Sequence, residues 1–355
     1  MKDATLSSKP RLTLGEKRWL TLVGAVSLIF CLYPLWASVY GLATMRDALI
    51  LGVFGLSLHY LFGKAGVFTL GHATFFGIGA YCTAILSGGV GGATRTATFS
   101  LDPSYASVLG LTIGILLAGA IALLIGYFLI FAGIRREYFA MMMLAVCLVC
   151  TQIAISWVTV TGGDQGLMNV PPLTLSLLGV GYRFESNLSM YFLALALAIT
   201  SLLGLWFSCR GNYGRILAAI TNNEFRARTL GHNTNFHLLI AFTISAMLAA
   251  LAGGIYTTCQ GYVTWEFISL FLSLEVVVWL FVGGWRNILG PFVGAFFVLQ
   301  LQREISSISA TLWPLALGLL FISSVFLFPE GLLALANRLF NQLKKFRKKK
   351  LWGRM

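Results

Sequence analysis

Charge is what this sequence has least of. Asp, Glu, Lys and Arg make up 10% of its 355 residues, where a water-soluble domain carries roughly a quarter. Acids are the scarcer sign, 12 Asp and Glu against 25 Lys and Arg. A chain that is 58% hydrophobic, with a mean hydropathy of +0.84, has no water-soluble fold in which to hide that apolar surface. Catalytic signatures are missing as well. Without G-x-x-x-x-G-K-[ST] the chain does not bind ATP in the phosphate-loop manner, and G-x-S-x-G and H-E-x-x-H are absent, so no enzyme activity is expected of it. No folded basic domain is present to bind nucleic acid. The six cysteines lie in or beside apolar runs, where each reads as a small buried hydrophobe. Cys147 and Cys150 form a C-x-x-C without the second ligand pair a zinc site needs, and no metal site is expected.

What is abundant is apolar sequence in long runs. About 20 apolar residues carry a helix across a hydrocarbon core of roughly 30 Å, and in lipid only such a fully hydrogen-bonded backbone is stable. The runs predict spans at 19–38, 43–63, 70–88, 105–133, 138–160, 188–208, 236–259, 267–283, 288–302 and 311–328, the eighth marginal and the ninth short. The expected fold is therefore an all-α polytopic membrane protein of about ten transmembrane helices, in a range of about eight to ten. The basic N-terminus resembles a secretory signal, but the run that follows is long for one and reads as a retained first helix.

Short cytoplasmic loops concentrate Lys and Arg. With both termini inside, 21 of the 25 basic residues fall on the cytoplasmic side and only Arg46, Arg95, Arg183 and Arg303 fall outside. The organisation expected is a cytoplasmic arm (1–18), a membrane domain (19–330) and a basic cytoplasmic tail (331–355). The tail, with Lys344 to Lys350, suits an anionic inner leaflet. Within the membrane domain, 161–187 is an external loop, rich in Gly and containing Pro171 and Pro172, which reads as an ordered non-helical connection or a plain linker. Segment 209–235 is cytoplasmic; Ile216, Leu217, Ile220, Phe225 and Leu230 alternate there with polar residues and Gly231 supplies a stop, giving one or two short amphipathic helices. Such helices lie on lipid or dock into a partner's groove.

Two glycine-broken stretches, GKAGVFTLGHATFFGIGAY (63–81) and GGWRNILGPFVGAFF (283–297), hint at a weak internal repeat. Broken helices in two halves point to a translocation path; close helix packing is the alternative, as for Gly110/Gly114 and Gly290/Gly294. Ionisable residues at membrane depth suggest function by default. They are His59, His72, Glu275 and the Arg303/Glu304 pair. The substrate-path candidates are His59, Gly71, His72, Gly77, Gly79 and Glu275. A carboxylate inside an apolar helix must be partnered or neutralised, so Glu275 reads as structural or gating and not as a lone charge for a substrate amine.

The stretches GVFTLGHATFFGIGAY, REYFAMMMLAV, TGGDQGL, GRILAAITNNEFRARTLGHNTNFHLLIAFTISAMLAALAGGIY, SLEVVVWLFVGG, LGPFVGA and FPEGLL together resemble the permeases of branched-chain amino acid ABC importers, LivM type. The resemblance runs from Gly63 to Gly331. It implies a multi-pass permease of the bacterial inner membrane, paired with a homologous second permease, two ABC ATPase subunits that hold ATP and Mg, and an extracytoplasmic substrate-binding protein. The chain itself binds no cofactor. The resemblance makes Glu224, Phe225, Arg226, Arg228, Leu230 and Gly231 the ATPase-coupling candidates, although Phe225 and Arg226 stand where the coupling pattern of other ABC permeases has Glu and Ala. Urea and short-amide permeases share these motifs, so the cargo is an amino acid or a urea-like amide. A gradient-driven transporter or a channel is the reading without an ATPase.

Overall fold

The computed structural model describes residues 14–91, 94–95, 103–133, 136–177, 180–327 and 331–335. The outer parts of the N-terminal arm and of the basic tail, Lys344 to Lys350 included, lie outside the described residues. In chain order the helices are α1 (Leu14–Leu32), α2 (Val39–His59, continued by a π-turn, Tyr60–Lys64), α3 (Ala73–Leu86), α4 (Pro103–Phe131), α5 (Arg136–Ser156) and the single turn α6 (Val158–Thr161). They continue as α7 (Asn187–Arg210), α8 (Asn212–Asn222), α9 (Glu224–Thr229), α10 (Thr234–Gln260), α11 (Leu270–Gly283), α12 (Gly290–Ile308) and α13 (Trp313–Leu327).

Each expected apolar span thus has a helix, with shifted ends. The first stops at Leu32 instead of residue 38, because Pro34 opens a 3-10 turn over Tyr33–Leu35 where its ring does not extend the helix behind it. The fifth breaks at Trp157 before α6, and the ninth runs on to Ile308. Among the described residues five helices are long and apolar enough to cross a membrane: Val39–Lys64, Tyr105–Phe131, Tyr138–Ser156, Asn187–Arg210 and Thr234–Gln260. Four shorter apolar helices accompany them, among them Ala73–Leu86 and Leu270–Gly283.

Position in the bundle follows polarity. Every residue from Arg46 to Leu61 is buried, so α2, which carries Arg46, Asp47 and His59, is the central helix, enclosed by α7, α10, α11 and α12. Helices α4 and α5 turn Leu116, Leu124, Phe128, Met141, Val149 and Ile153 outward, as suits a lipid-facing surface that loses nothing by exposing hydrocarbon. Helix α3 is clamped between α4 and α10 so tightly that a Cβ at Gly79 would lie 2.0 Å from the Ala250 carbonyl oxygen and one at Gly253 1.9 Å from that of Phe76. The two backbones touch through this reciprocal pair of small residues.

The described residues are mostly helical, as expected, and short strands join the helices in the connections at one end of the bundle. Strands β1 (Val90–Gly91), β2 (Thr94–Arg95) and β3 (Leu167–Met168) form an antiparallel sheet in the order β2-β1-β3. Strands β4 (Thr174–Leu177) and β5 (Val180–Arg183) form a hairpin, Thr174 opposite Arg183. Backbone bonds between Leu167 and Val263 tie this region to the end of α10, and Ser107 Oγ accepts from the Thr174 N–H at 3.1 Å. The loop is therefore ordered, with its backbone groups paired by short strands where a linker would leave them to water.

Candidate functional site

At the end of the bundle that carries the small sheets, a cavity of about 470 Å³ opens between α3, α10, α11 and α12, within the range of small-molecule sites. One wall is aromatic. Phe76, Tyr256, Phe267 and Tyr262 line it, with ring centroids 5.8 Å apart for Phe76 and Tyr256, 5.3 Å for Tyr256 and Phe267, and 5.8 Å for Tyr262 and Phe267. The facing wall is α11, whose Glu275 and Trp279 lie one turn apart, four residues on, and so on one helix face. Both are buried, and among the described residues neither Glu275 Oε1 nor Trp279 Nε1 has a hydrogen-bond partner. Glu266 also lines the cavity, and no lysine or arginine does.

The site exists because two helices start inside the molecule. Helices α3 and α11 have 14 residues each and so span about 21 Å, too little for a bilayer. Their first turns meet: the Ala73 N–H donates to Ser273 Oγ at 3.1 Å, which occupies one of the N–H groups a helix start leaves free. The chain leading into α3 and the chain leading into α11 both abut α5. A Cβ at Gly71 would lie 2.0 Å from the Met143 carbonyl oxygen, and the Cys147 thiol donates to the Ile268 carbonyl at 3.0 Å. The spatial partner of the first broken stretch is thus segment 261–269, which no motif in the sequence marked. The second glycine stretch instead forms a close hairpin. A Cβ at Gly283 would fall 1.8 Å from the Gly290 carbonyl oxygen, and one at Gly294 1.9 Å from that of Trp279.

Of the path candidates, Glu275 lines the cavity. Gly71, Gly77 and Gly79 do not; they meet Met143, Ile268 and Ala250 in direct contact, where bulk disturbs packing first. His72 is fully buried behind the cavity, stacked on Phe54 with ring centroids 5.5 Å apart. Its Nε2 lies 2.7 Å from Ser57 Oγ, whose single proton goes to the Phe54 carbonyl at 2.6 Å. With that bond in place, Ser57 Oγ is left as an acceptor toward the ring. His59 sits toward the opposite end of α2, where Gly63 lets the chain pass between its ring and the Trp285 carbonyl.

Sequence reasoning missed Asp47. This buried carboxylate takes Arg46 at 2.9 Å and Arg303 at 3.1 Å, and Arg303 also donates to Thr44 Oγ1 and lies over the Tyr40 ring. The neighbouring acid Glu304 stands apart from this cluster. Glu304 accepts from Gln300 at 3.3 Å, because residues 303 and 304 point to different sides of α12.

At the other end of the bundle, segment 209–235 forms the two helices α8 and α9. Helix α8 buries Leu217 and Ile220 and is held by Tyr213 Oη donating to the His237 carbonyl and Thr221 Oγ1 to the Lys64 carbonyl. Asn223 caps α9, accepting from the Arg226 N–H at 2.9 Å, and Gly231, at φ 88°, ends the segment in the left-handed region. The coupling candidates divide. Glu224 and Arg228 pair at 3.1 Å, and Arg228 reaches Thr234 and Asn235 at the start of α10, so these two anchor α9 to the bundle. Phe225 and Leu230 are 78% and 72% exposed, and Arg226 is exposed beside them. Two large apolar side chains are thus left uncovered on this segment.

Residues 40–328 match the family model described as the branched-chain amino acid transport system / permease component. The chain is 27% identical over 337 residues to the high-affinity branched-chain amino acid transport system permease protein LivM of Salmonella typhimurium, covering 88% of this chain and 74% of that one. To the LivM protein of Escherichia coli it is 26% identical over 307 residues, 80% of this chain and 68% of that one. The autoinducer 2 import system permease protein LsrC of Klebsiella pneumoniae is 30% identical over 156 residues, 42% of this chain and 44% of its own. No solved structure matches.

Proposed function

Since the chain belongs to the family of branched-chain amino acid transport system permease components, we propose that it is the membrane-spanning subunit of an ATP-driven importer for branched-chain or related amino acids. Its place would be the bacterial cytoplasmic membrane, with a second permease, ATP-hydrolysing subunits and an extracytoplasmic binding protein as partners. The observation that carries the reading is the cavity where α3 and α11 begin. Interrupted helices whose ends meet inside a bundle are how a membrane protein brings polar groups to a solute at depth without exposing backbone to lipid. The exposed face of α9, with Phe225, Arg226 and Leu230, supports a soluble partner at the opposite end. A groove that takes such a helix face transmits movement through its apolar anchors, while charges set register.

The test is reconstitution. The chain, co-expressed with a second permease, ATPase subunits and a binding protein of this transporter type and placed in liposomes, should accumulate radiolabelled leucine only with ATP inside. Uptake driven by an ion gradient without ATP would assign the chain to secondary transport instead.

A further inference from the structure

Members of this family carry different cargoes by their names, amino acids for LivM and autoinducer 2 for LsrC, so the fold leaves the cargo open. Building on the reading of the cavity as the substrate path, we infer that Glu275 and Trp279 are the pair that selects a zwitterionic α-amino acid, the Glu275 carboxylate taking the ammonium group and the Trp279 indole N–H the carboxylate.

Each group is incomplete as it stands. Glu275 is 5% exposed and Trp279 0%, and no described residue bonds Glu275 Oε1 or Trp279 Nε1. A buried polar atom left so costs about 1–3 kcal/mol, more when charged, and a ligand that bonds it removes that cost. The two are an acceptor and a donor, one turn apart on one face of α11, which is the order in which an α-amino acid offers its ammonium donors and carboxylate acceptors. The charge fits too. Glu266 and Glu275 line the cavity and no cationic side chain does. Arg46 and Arg303, on the neighbouring helices α2 and α12, are already engaged with Asp47. The wall opposite α11 supplies aromatic faces at Phe76, Tyr256 and Phe267, against which an aliphatic side chain loses its hydration. A urea-like amide satisfies neither demand, since it brings no positive charge to a buried carboxylate and no apolar group to the aromatic wall.

This reading departs from the sequence expectation that Glu275 is structural or gating. That expectation rested on the mid-helix position of Glu275, where an unpaired carboxylate is neutralised, whereas the fold places Glu275 among the residues that line the cavity.

The experiment uses the reconstituted importer and its binding protein, with [³H]leucine as probe. Glu275→Gln should lower leucine uptake about ten- to a hundredfold, as the loss of a charged hydrogen bond does, with Glu275→Asp recovering part of it. Trp279→Phe, which removes the N–H and keeps most of the ring, should lower uptake severalfold. Co-purification of the partner subunits should stay at wild-type values in all three, and the melting temperature in the two Glu275 variants, while Trp279→Phe, a large-to-small change at a fully buried position, lowers it modestly. Wild-type leucine uptake by Glu275→Gln overturns the assignment and leaves the importer reading intact. Equal losses in the Gln and Asp variants together with lost assembly would mark Glu275 as structural and also overturn it. If the wild-type complex carries urea and not leucine, both readings fall.

Discussion

Asp47 stands between two guanidinium groups, and its burial decides what happens when it is removed. Deleting one member of a buried ion cluster leaves its partners' charge uncompensated, at a cost of about 3–5 kcal/mol. Asp47→Ala strands two cations, Arg46 inside the bundle and Arg303 at its edge. Arg303→Met leaves the Arg46–Asp47 pair intact. Asp47→Ala should therefore lower the melting temperature in detergent several degrees more than Arg303→Met does, measured by differential scanning fluorimetry; equal shifts would show that the cluster does not hold this end together. The sequence displayed Arg46 and Arg303 as isolated charges on the outside of the membrane. Asp47 was hidden because the neighbour that gives it meaning lies more than two hundred residues along the chain.

At the scale of elements, α8 and α9 show how one short segment divides its work. The buried side of α8, through Leu217 and Ile220, fastens it to the bundle, and Glu224 with Arg228 fastens α9 to α10. Phe225 and Leu230 are left outside. Phe225→Asp should thus abolish co-purification of the ATPase subunits and ATP-driven uptake without changing the melting temperature of the membrane domain. Arg228→Ala should cost only about 0.5 kcal/mol, the usual worth of an exposed i,i+4 pair, and keep most uptake. Retained ATPase with Phe225→Asp would sink the docking role of α9. If the segment lay on lipid instead, loss of the cation would do the greater harm, since each basic residue near an anionic leaflet contributes about 1 kcal/mol. Amphipathicity and the Gly231 stop made these helices legible beforehand. Which side chains serve the bundle and which the partner was not, because both classes alternate in the same few residues.

For the whole molecule, the distribution of Lys and Arg sets the orientation to be tested. In a variant without the six native cysteines, Asn223→Cys should resist a membrane-impermeant maleimide added to intact cells and react after lysis, and Gln165→Cys should react in intact cells. The reverse pattern would invert the topology. The two positions lie at opposite ends of the bundle, one in the cap of α9 and the other in the 3-10 turn beside β3, so the pair reads the orientation of the entire helical body.

The apolar runs by themselves determined that the chain is helical and membrane-embedded, since lipid offers backbone groups no partner and leaves a run of about 20 apolar residues one stable form. They located a helix for each expected span, and the motifs from Gly63 to Gly331 placed it in its family. Tertiary structure alone decided where the cavity lies. Gly71, Gly77 and Gly79 look alike in sequence whether they line a passage or let helices touch, and only the position of Met143, Ile268 and Ala250 against them distinguishes the two. Glu275 is one acid in an apolar helix until the fold shows the aromatic wall opposite it and, among the described residues, no partner for its Oε1. A local sequence fixes a residue's polarity and its helix, but its partner comes from elements far away along the chain, and partner or cavity is what separates a structural charge from one that meets a ligand.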